Sequence, residues 1–230
     1  MGKTAVILAG GDGVRAGGNE PKQFREICGK PMLYWSIKAF ADEDRQTRVL
    51  VVIHPGFREK WSGKLVEISN ELGVKCEMVC GGKSRFHSVY NALIRLEPEK
   101  GDLIAVHDAA RPLLSSDLVA RGWEAGKENG AAVPVIPLTD SMRRLLPDGS
   151  ESVVRKDYVA VQTPQVFETL ILKSSYSCGE RPEFTDDASV VEAFGHDVAL
   201  YPGDERNIKV THPSDFAVVE TLMKYRDNNR

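Results

Sequence analysis

The sequence predicts an α/β protein with a doubly wound, mostly parallel sheet, and three observations support this prediction. Short runs rich in β-branched residues alternate with longer amphipathic stretches. Several short runs are apolar at consecutive positions, which is typical of strands covered by helices on both faces. Two polar motifs, "AGGDGVR" and "HDAARP", follow such runs directly, where ligands bind in sheets of this kind.

The predicted elements alternate regularly over the first part of the chain, which indicates parallel strands joined by crossover helices. We expect strands at residues 4–9, 48–53, 75–80, 103–108 and 131–135. We expect helices at about 31–42, 57–72, 84–97 and 115–129.

The third predicted helix has the clearest helical pattern in the sequence. Ser84 is a suitable N-cap because its hydroxyl can accept a hydrogen bond from the first turn. The apolar positions that fall on one stripe, and should therefore be buried, are Phe86, Val89, Tyr90, Leu93 and Leu96.

The alternation of strand and helix breaks at residues 136–162, which we predict to form a projecting β-hairpin arm. Polar and apolar residues alternate on both sides of "PDGS", a turn signal in which proline fixes φ and glycine accepts positive φ. Because a two-stranded hairpin is marginal alone, the arm is expected to pack against a second subunit in a homodimer.

After the arm we expect helices near 166–177, 184–195 and 212–226 and a strand at 197–203, all within a single domain spanning residues 1–230.

Composition and charge argue against several classes of protein. The chain has 230 residues and a net charge of −3, which gives no general attraction to nucleic acid or to an acidic membrane. The apolar run at the N-terminus is too short for a signal sequence or a membrane span. The four cysteines form no CxxC pair, which favours reduced thiols in a cytoplasmic protein over a metal site.

The glycine-rich stretch "LAGGDGVRAGGNEPKQF" does not match the common dinucleotide or P-loop patterns. Its third glycine comes one residue too late for G-x-G-x-x-G, and the second strand ends without an acid, which disfavours an NAD(P)-dependent oxidoreductase. The stretch that ends in "GGKS" does not match the P-loop pattern either, because Glu77 occupies the position of the first glycine of that pattern. The stretch is then either a loop whose N–H groups bind phosphates, with Arg15 and Lys22 folded over them, or a solvated surface loop.

Two further motifs contain candidate ligand-binding residues. Asp108 ends a strand beside the glycine loop and is well placed to hold Mg²⁺, while Arg111 suits phosphate; a structural Asp–Arg pair is the alternative. His107 should face the opposite way, which favours a structural role. Lys209, before a helix start, can point into a cleft or lie on the surface.

The ordered set "LAGGDGVR…PKQF", "HDAARP", "TPQVF", "TDDAS" and "NIKVT" resembles the sugar-alcohol phosphate cytidylyltransferases, closely those that use 2-C-methyl-D-erythritol 4-phosphate. The resemblance implies a Rossmann-like nucleotidyltransferase fold, CTP as substrate, Mg²⁺, and a homodimer in which the arm reaches the partner's site. The implied reaction forms 4-diphosphocytidyl-2-C-methyl-D-erythritol and pyrophosphate in the non-mevalonate isoprenoid pathway.

The resemblance also implies roles for individual residues. The residues implied to be catalytic are Arg15, Lys22 and Lys209. Those implied to bind the nucleotide are Ala9, Gly10, Gly11, Gly13, Gly81, Ser88 and Asp108, the last also holding the metal. Those implied to surround the acceptor are Arg111, Ser141, Arg155, Thr163 and Thr185.

Some positions depart from this pattern. Gly10 stands where a second alanine is frequent, Ala16 follows Arg15 in place of methionine, and Ser141 replaces threonine. Related cytidylyltransferases that use ribitol 5-phosphate or another pentitol phosphate share the loop, "TPQ" and "NIKVT", so they are the alternative. "HDAARP" and "TDDAS" favour the methylerythritol phosphate.

Overall fold

The structure is a computed structural model that describes residues 1–11 and 21–228. The described strands are β1 (Lys3–Ala9), β2 (Glu26–Ile27), β3 (Lys30–Pro31), β4 (Arg48–Ile53), β5 (Cys76–Cys80), β6 (Leu103–Asp108), β7 (Ala131–Pro137), β8 (Arg143–Leu146), β9 (Gly149–Ser152), β10 (Val159–Val161), β11 (Gln165–Glu168) and β12 (Ala199–Pro202). The described helices are α1 (Met32–Glu43), α2 (Arg58–Leu72), α3 (Arg85–Leu93), α4 (Ser116–Asn129), α5 (Thr169–Ser175), α6 (Asp187–Ala193) and α7 (Pro213–Asn228).

The main sheet has the strand order β10-β7-β11-β6-β1-β4-β5, and β12 pairs with the other edge of β7. Strands β5, β4, β1 and β6 run parallel. Because each of these strands is followed by a crossover, their carboxyl ends meet at one edge of the sheet. The predicted doubly wound, mostly parallel sheet is confirmed.

Two apolar layers cover the sheet, one on each face. On β1, Ala5 and Ile7 point into the layer formed by α1, α2 and α4, whereas Val6 points into the layer formed by α3, α5 and α6. All three side chains are fully buried. The consecutive apolar residues of this strand are thus explained by burial on both faces.

The predicted helix at 166–177 is wrong over its first residues, which form the antiparallel strand β11 between β6 and β7. Val166 and Phe167 are fully buried there. A short apolar run fits a buried strand as well as a helix, so its periodicity could not decide.

The stripe predicted for α3 is buried at four of its five positions. Tyr90 is 42% exposed, since α3 presents that side to solvent and ends at Leu93, earlier than expected. Ser84 caps the helix as predicted, accepting a hydrogen bond from the His87 amide at 3.2 Å.

The hairpin is shorter than the range 136–162. Strand β7 continues to Pro137, and β10 also joins the main sheet, so the separate two-stranded part comprises β8 and β9. We call β8, β9 and their turn the arm. Every residue of its strands is exposed.

Two expectations from composition can be compared with the described residues. All four cysteines are free thiols, as predicted. None of the helices in the described ranges combines the length and apolar character that a membrane span requires.

Candidate active site

A cleft of about 570 Å³ opens at the carboxyl ends of β1 and β6. Its described walls come from the glycine turn after β1, the β5–α3 connection, the end of β6 and the segment before α7. This is the edge of the sheet at which the sequence analysis predicted ligand binding. Gly13 and Arg15 lie outside the described residues.

The charge of the described cleft is strongly positive. Four cationic side chains line it, and Asp108 is the only acidic residue among the described lining residues. Such a surplus suits a ligand with several phosphates. The four cations are Lys22, Lys83, Arg85 and Lys209.

The glycine turn after β1 is fixed by a side chain that the sequence analysis missed. Gln23 is buried, and its Nε2 donates to the carbonyl oxygens of Ala9 at 2.8 Å and Gly11 at 2.7 Å. With those carbonyls held, the turn keeps one shape where Gly10 and Gly11 border the cleft. The motif "PKQF" was the available signal, but only its lysine was interpreted.

The β5–α3 connection approaches α3 so closely at Gly82 that any larger residue would force a shift. A Cβ atom at Gly82 would lie 2.4 Å from Cβ of His87. The Gly82 amide donates to Ser88 Oγ at 3.1 Å, which places the Ser88 hydroxyl in the wall of the cleft. Gly81 lies behind this wall, where a Cβ would be 3.7 Å from the Cα of Gly10.

Asp108 lies at the floor of the cleft between two cations. Its Oδ2 is 2.6 Å from Lys209 Nζ, and its Oδ1 is 3.8 Å from Arg85 Nε. Burial alone would raise the pKa of Asp108, but the charges of Arg85 and Lys209 outweigh burial and hold that pKa well below its usual range. Asp108 is therefore ionised near pH 7.

Lys22 also lines the cleft, and its Nζ donates to the carbonyl oxygen of Val210 at 2.6 Å. Val210 is next to Lys209, so the two lysines predicted from distant motifs are brought to the same cleft. The sequence analysis predicted neither Lys83 nor Arg85 as a cleft residue.

A buried chain of hydrogen bonds lies behind Asp108. The Asp108 amide donates to Thr163 Oγ1 at 3.1 Å. Because the Arg111 carbonyl oxygen can only accept, Nε2 of His107 carries a proton and donates to it at 3.3 Å. Nδ1 of the neutral ring then accepts from the Thr163 hydroxyl at 3.0 Å. Burial lowers the pKa of His107 to about 4, so the ring is neutral near pH 7. Its buried position agrees with the structural role expected from the strand.

Arg111 does not form the structural pair with Asp108 that was the alternative interpretation. Its Nη1 donates to the Asn207 carbonyl oxygen at 2.7 Å, and Nη2 lies 3.5 Å from the Val161 carbonyl oxygen. Asp108 pairs with Lys209 and Arg85 instead. Arg111 thus joins the loop after β6 to the segment before α7.

None of the other residues predicted to surround the acceptor belongs to the described lining of the cleft. Thr163 is turned inward, because its hydroxyl makes the two buried hydrogen bonds described above. Ser141, Arg155 and Thr185 are exposed and are absent from the described lining of the cleft. Arg155 donates to the carbonyl oxygen of Thr139 at the base of the arm.

The residues present fit a divalent cation in one respect. No group of three or more metal-binding side chains occurs within residues 1–11 and 21–228. Mg²⁺, however, commonly takes one or two carboxylates and completes its shell with water and substrate phosphates. The ionised Asp108 at the cleft floor fits that pattern.

The doubly wound sheet and the cationic cleft at its carboxyl edge define an α/β protein that binds phosphorylated ligands. Comparison with known proteins is more specific. The family model for 2-C-methyl-D-erythritol 4-phosphate cytidylyltransferase (IspD) matches residues 3–225. The chain belongs to this family and is therefore a nucleotidyltransferase.

Individual relatives agree with the family model. Proteins named 2-C-methyl-D-erythritol 4-phosphate cytidylyltransferase from Phocaeicola vulgatus and Bacteroides fragilis are 41% and 40% identical, over 97% of this chain and 100% of their own length. The crystal structure of the enzyme of that name from Thermus thermophilus matches with a TM-score of 0.78 and 34% identity. That match covers 97% of this chain and 100% of the other.

Proposed function

We propose that this chain transfers the cytidylyl group of CTP to 2-C-methyl-D-erythritol 4-phosphate in the non-mevalonate isoprenoid pathway. The products are 4-diphosphocytidyl-2-C-methyl-D-erythritol and pyrophosphate. The observation that carries the proposal is a cationic cleft with one ionised acid, in a chain matched by this family over residues 3–225. The family match favours this acceptor over ribitol 5-phosphate and the reaction over NAD(P)-dependent oxidation.

The chemistry needs positioning and positive charge more than acid–base catalysis. A phosphate oxygen of the acceptor attacks the α-phosphorus of CTP, and the bond from that phosphorus to the bridging oxygen breaks to release pyrophosphate. The attacking oxygen is already an anion, so no general base is required. Lys22 and Lys209 reduce the repulsion between the anions and stabilise the charge of the transition state, and we assign Arg15 the same role.

Asp108 would hold Mg²⁺, which supplies further positive charge at the phosphates when it is bound. The nucleoside end of CTP would lie against the β5–α3 connection. There Gly82, Ser84 and Ser88 line the cleft and offer polar groups to the ligand.

We also propose that the arm pairs two chains and completes the acceptor site of the partner. Leu145 is 84% exposed on the arm, and Val154 and Tyr158 are exposed beside it. Ser141 and Arg155 flank the arm and are separate from the cleft of their own chain. A partner that covers the apolar side chains would also receive these two polar groups at its cleft.

The single domain and the cytoplasmic location remain predictions from the sequence.

The direct test is pyrophosphate release from CTP with Mg²⁺, with 2-C-methyl-D-erythritol 4-phosphate and ribitol 5-phosphate compared in parallel. We expect turnover with the first acceptor and little with the second. Turnover with ribitol 5-phosphate alone would contradict the proposed acceptor and leave the cytidylyl transfer intact. A thermal shift with NAD(P) and none with CTP would contradict the nucleotide assignment itself.

A further inference from the structure

Asp187, the first residue of α6, is a fully buried carboxylate close to the cleft that is not part of its described lining. Its Oδ2 accepts a hydrogen bond from Arg85 Nη2 at 2.6 Å. Its Oδ1 accepts one from the Tyr176 hydroxyl, also at 2.6 Å. Both oxygens are therefore held by short hydrogen bonds to residues of other elements.

Such an arrangement is not expected for stability alone. Asp187 lies beside an apolar layer that contains Phe86, Tyr176 and Val190. A buried ion pair often stabilises a protein less than apolar side chains of similar volume do, because both charges lose their hydration.

Arg85 connects this buried carboxylate with the cleft floor. Its guanidinium makes a direct hydrogen bond to Asp187, but its Nε stays 3.8 Å from Asp108 Oδ1. At 3.8 Å the positive charge still favours an ionised Asp108, whereas no hydrogen bond from Arg85 occupies Oδ1. The other oxygen, Oδ2, is already bonded to Lys209.

We propose that Asp187 is a positioning residue that holds Arg85 back from Asp108, so that Oδ1 of Asp108 stays open to a divalent cation. The inference rests on the proposed function, since that cation is the Mg²⁺ of the CTP complex. Without the charge of Asp187, Arg85 turns to Asp108, the other carboxylate that lies within 4 Å of it among the described residues. The guanidinium then occupies Oδ1 and competes with the cation.

Three variants separate this role from a merely structural one. Asp187→Asn keeps the shape but removes the charge that anchors Arg85. Arg85→Gln with Asp187→Asn removes both charges, so Arg85 is no longer there to compete for Asp108. Tyr176→Phe is the matched control, because it removes one hydrogen bond to Asp187 and leaves the pair with Arg85.

The experiment measures Mn²⁺ binding from the EPR signal of the free ion, with protein in excess over CTP and no acceptor present. We expect Asp187→Asn to weaken Mn²⁺ binding about 10- to 100-fold, the usual effect of losing a partner that orients a metal ligand. The double variant should bind Mn²⁺ within about twofold of the unchanged chain, because the two changes are coupled. Tyr176→Phe should change binding less than about threefold.

Unchanged Mn²⁺ binding in Asp187→Asn would overturn the inference, and so would a double variant that binds as weakly as the single one. If Asp187→Asn fails to fold, the double variant, which buries no unpaired charge, keeps the inference falsifiable, because weak Mn²⁺ binding by the double variant would overturn it. Pyrophosphate release by the unchanged chain without Mn²⁺ binding would overturn the inference and leave the transfer reaction standing. The predicted pattern of Mn²⁺ binding without any pyrophosphate release would support the inference and contradict the proposed acceptor.

Discussion

The cleft floor and the arm both carry many charges, but the two regions hold their charges in different ways. At the floor, Asp108 Oδ2 bonds to Lys209 while Arg85 stays 3.8 Å from its Oδ1, and the buried Asp187 has a donor on each oxygen. On the arm, Arg143 bonds to Ser150 across the same hairpin, and the neighbouring apolar side chains face solvent. The floor is fixed by contacts within one chain, whereas the arm has few contacts that fix it.

This difference indicates which function each region can perform alone. Groups that must bind phosphates and a cation need fixed geometry, and the floor has it through side chains from β6, α3, α6 and the segment before α7. An exposed two-stranded hairpin is marginally stable in water, so its function requires another surface. The comparison therefore predicts that changes at the floor alter chemistry in each chain, and changes in the arm alter assembly.

The largest expected effect is that of Lys22→Ala at the cleft wall. Loss of this charge should reduce kcat about 10²- to 10³-fold, the usual effect of removing one group that stabilises charge in a transition state. Circular dichroism and dimerisation should stay unchanged. Lys75→Ala is the matched control, since that side chain is 75% exposed and distant from the cleft lining. Normal turnover by Lys22→Ala would remove this lysine from the site.

Deletion of residues 146–153 should weaken dimerisation and acceptor use, which Lys22→Ala is expected to affect differently because it changes turnover and leaves the dimer intact. We expect the dimer to dissociate in sedimentation experiments and KM for the acceptor to rise about 10- to 100-fold, as after loss of one charge-assisted hydrogen bond. CTP binding, measured by calorimetry, should stay within about twofold because the nucleotide wall lies within one chain. A monomer with normal acceptor use would break the comparison between the two regions.

Gly82→Ala tests how closely the nucleotide wall is packed. The new Cβ would lie 2.4 Å from Cβ of His87, so the connection or α3 must shift, at a cost of about 1–3 kcal/mol in the free energy of unfolding. CTP affinity should fall together with stability. Gly63→Ala is the control, because Gly63 lies within α2 with open space around it. That change should stabilise the protein by about 0.5–1 kcal/mol.

The cleft floor should also depend on pH through His107. Its pKa is lowered to about 4 from an ordinary value of 6.5, so the folded state binds this proton less readily than the unfolded state does. The contribution of the neutral His107 to the free energy of unfolding is complete above pH 6.5 and is lost as the pH falls toward 4. At pH 5 the free energy of unfolding should be lower by about 2 kcal/mol. Urea unfolding at pH 7 and pH 5 measures it. His107→Gln should remove this part of the pH dependence, and an unaltered profile would contradict it.

The sequence predicted the fold well where the local pattern had one interpretation. The bounds of β4 and β6 agree with the prediction because each strand is a continuous apolar run ended by polar residues. Strand β11 was missed because "QVFE" continues into the apolar start of α5, and only its position between β6 and β7 makes it a strand. Its identity depends on tertiary contacts that no local window contains.

The same limit applies to the site. Asp108 and Lys209 were predicted because each belongs to a recognisable motif, and they meet at 2.6 Å. The pair of Arg85 and Asp187 joins residues 102 positions apart, and neither residue type is unusual in its surroundings. A candidate signal was the charge of "TDDAS" at the start of a helix, but a helix N-terminus explains acidic residues without any ligand.

The smallest expected effect belongs to Arg144→Ala on the arm. Arg144 lies 3.4 Å from Glu151 across the hairpin, with side chains that are 69% and 48% exposed. An ion pair in water contributes little, so the monomer's unfolding free energy should change by less than about 0.5 kcal/mol. Turnover and dimerisation should stay near those of the unchanged chain, which makes this variant a control for the deletion. A marked loss of dimer would instead show that the arm binds its partner through charge rather than through its exposed apolar side chains.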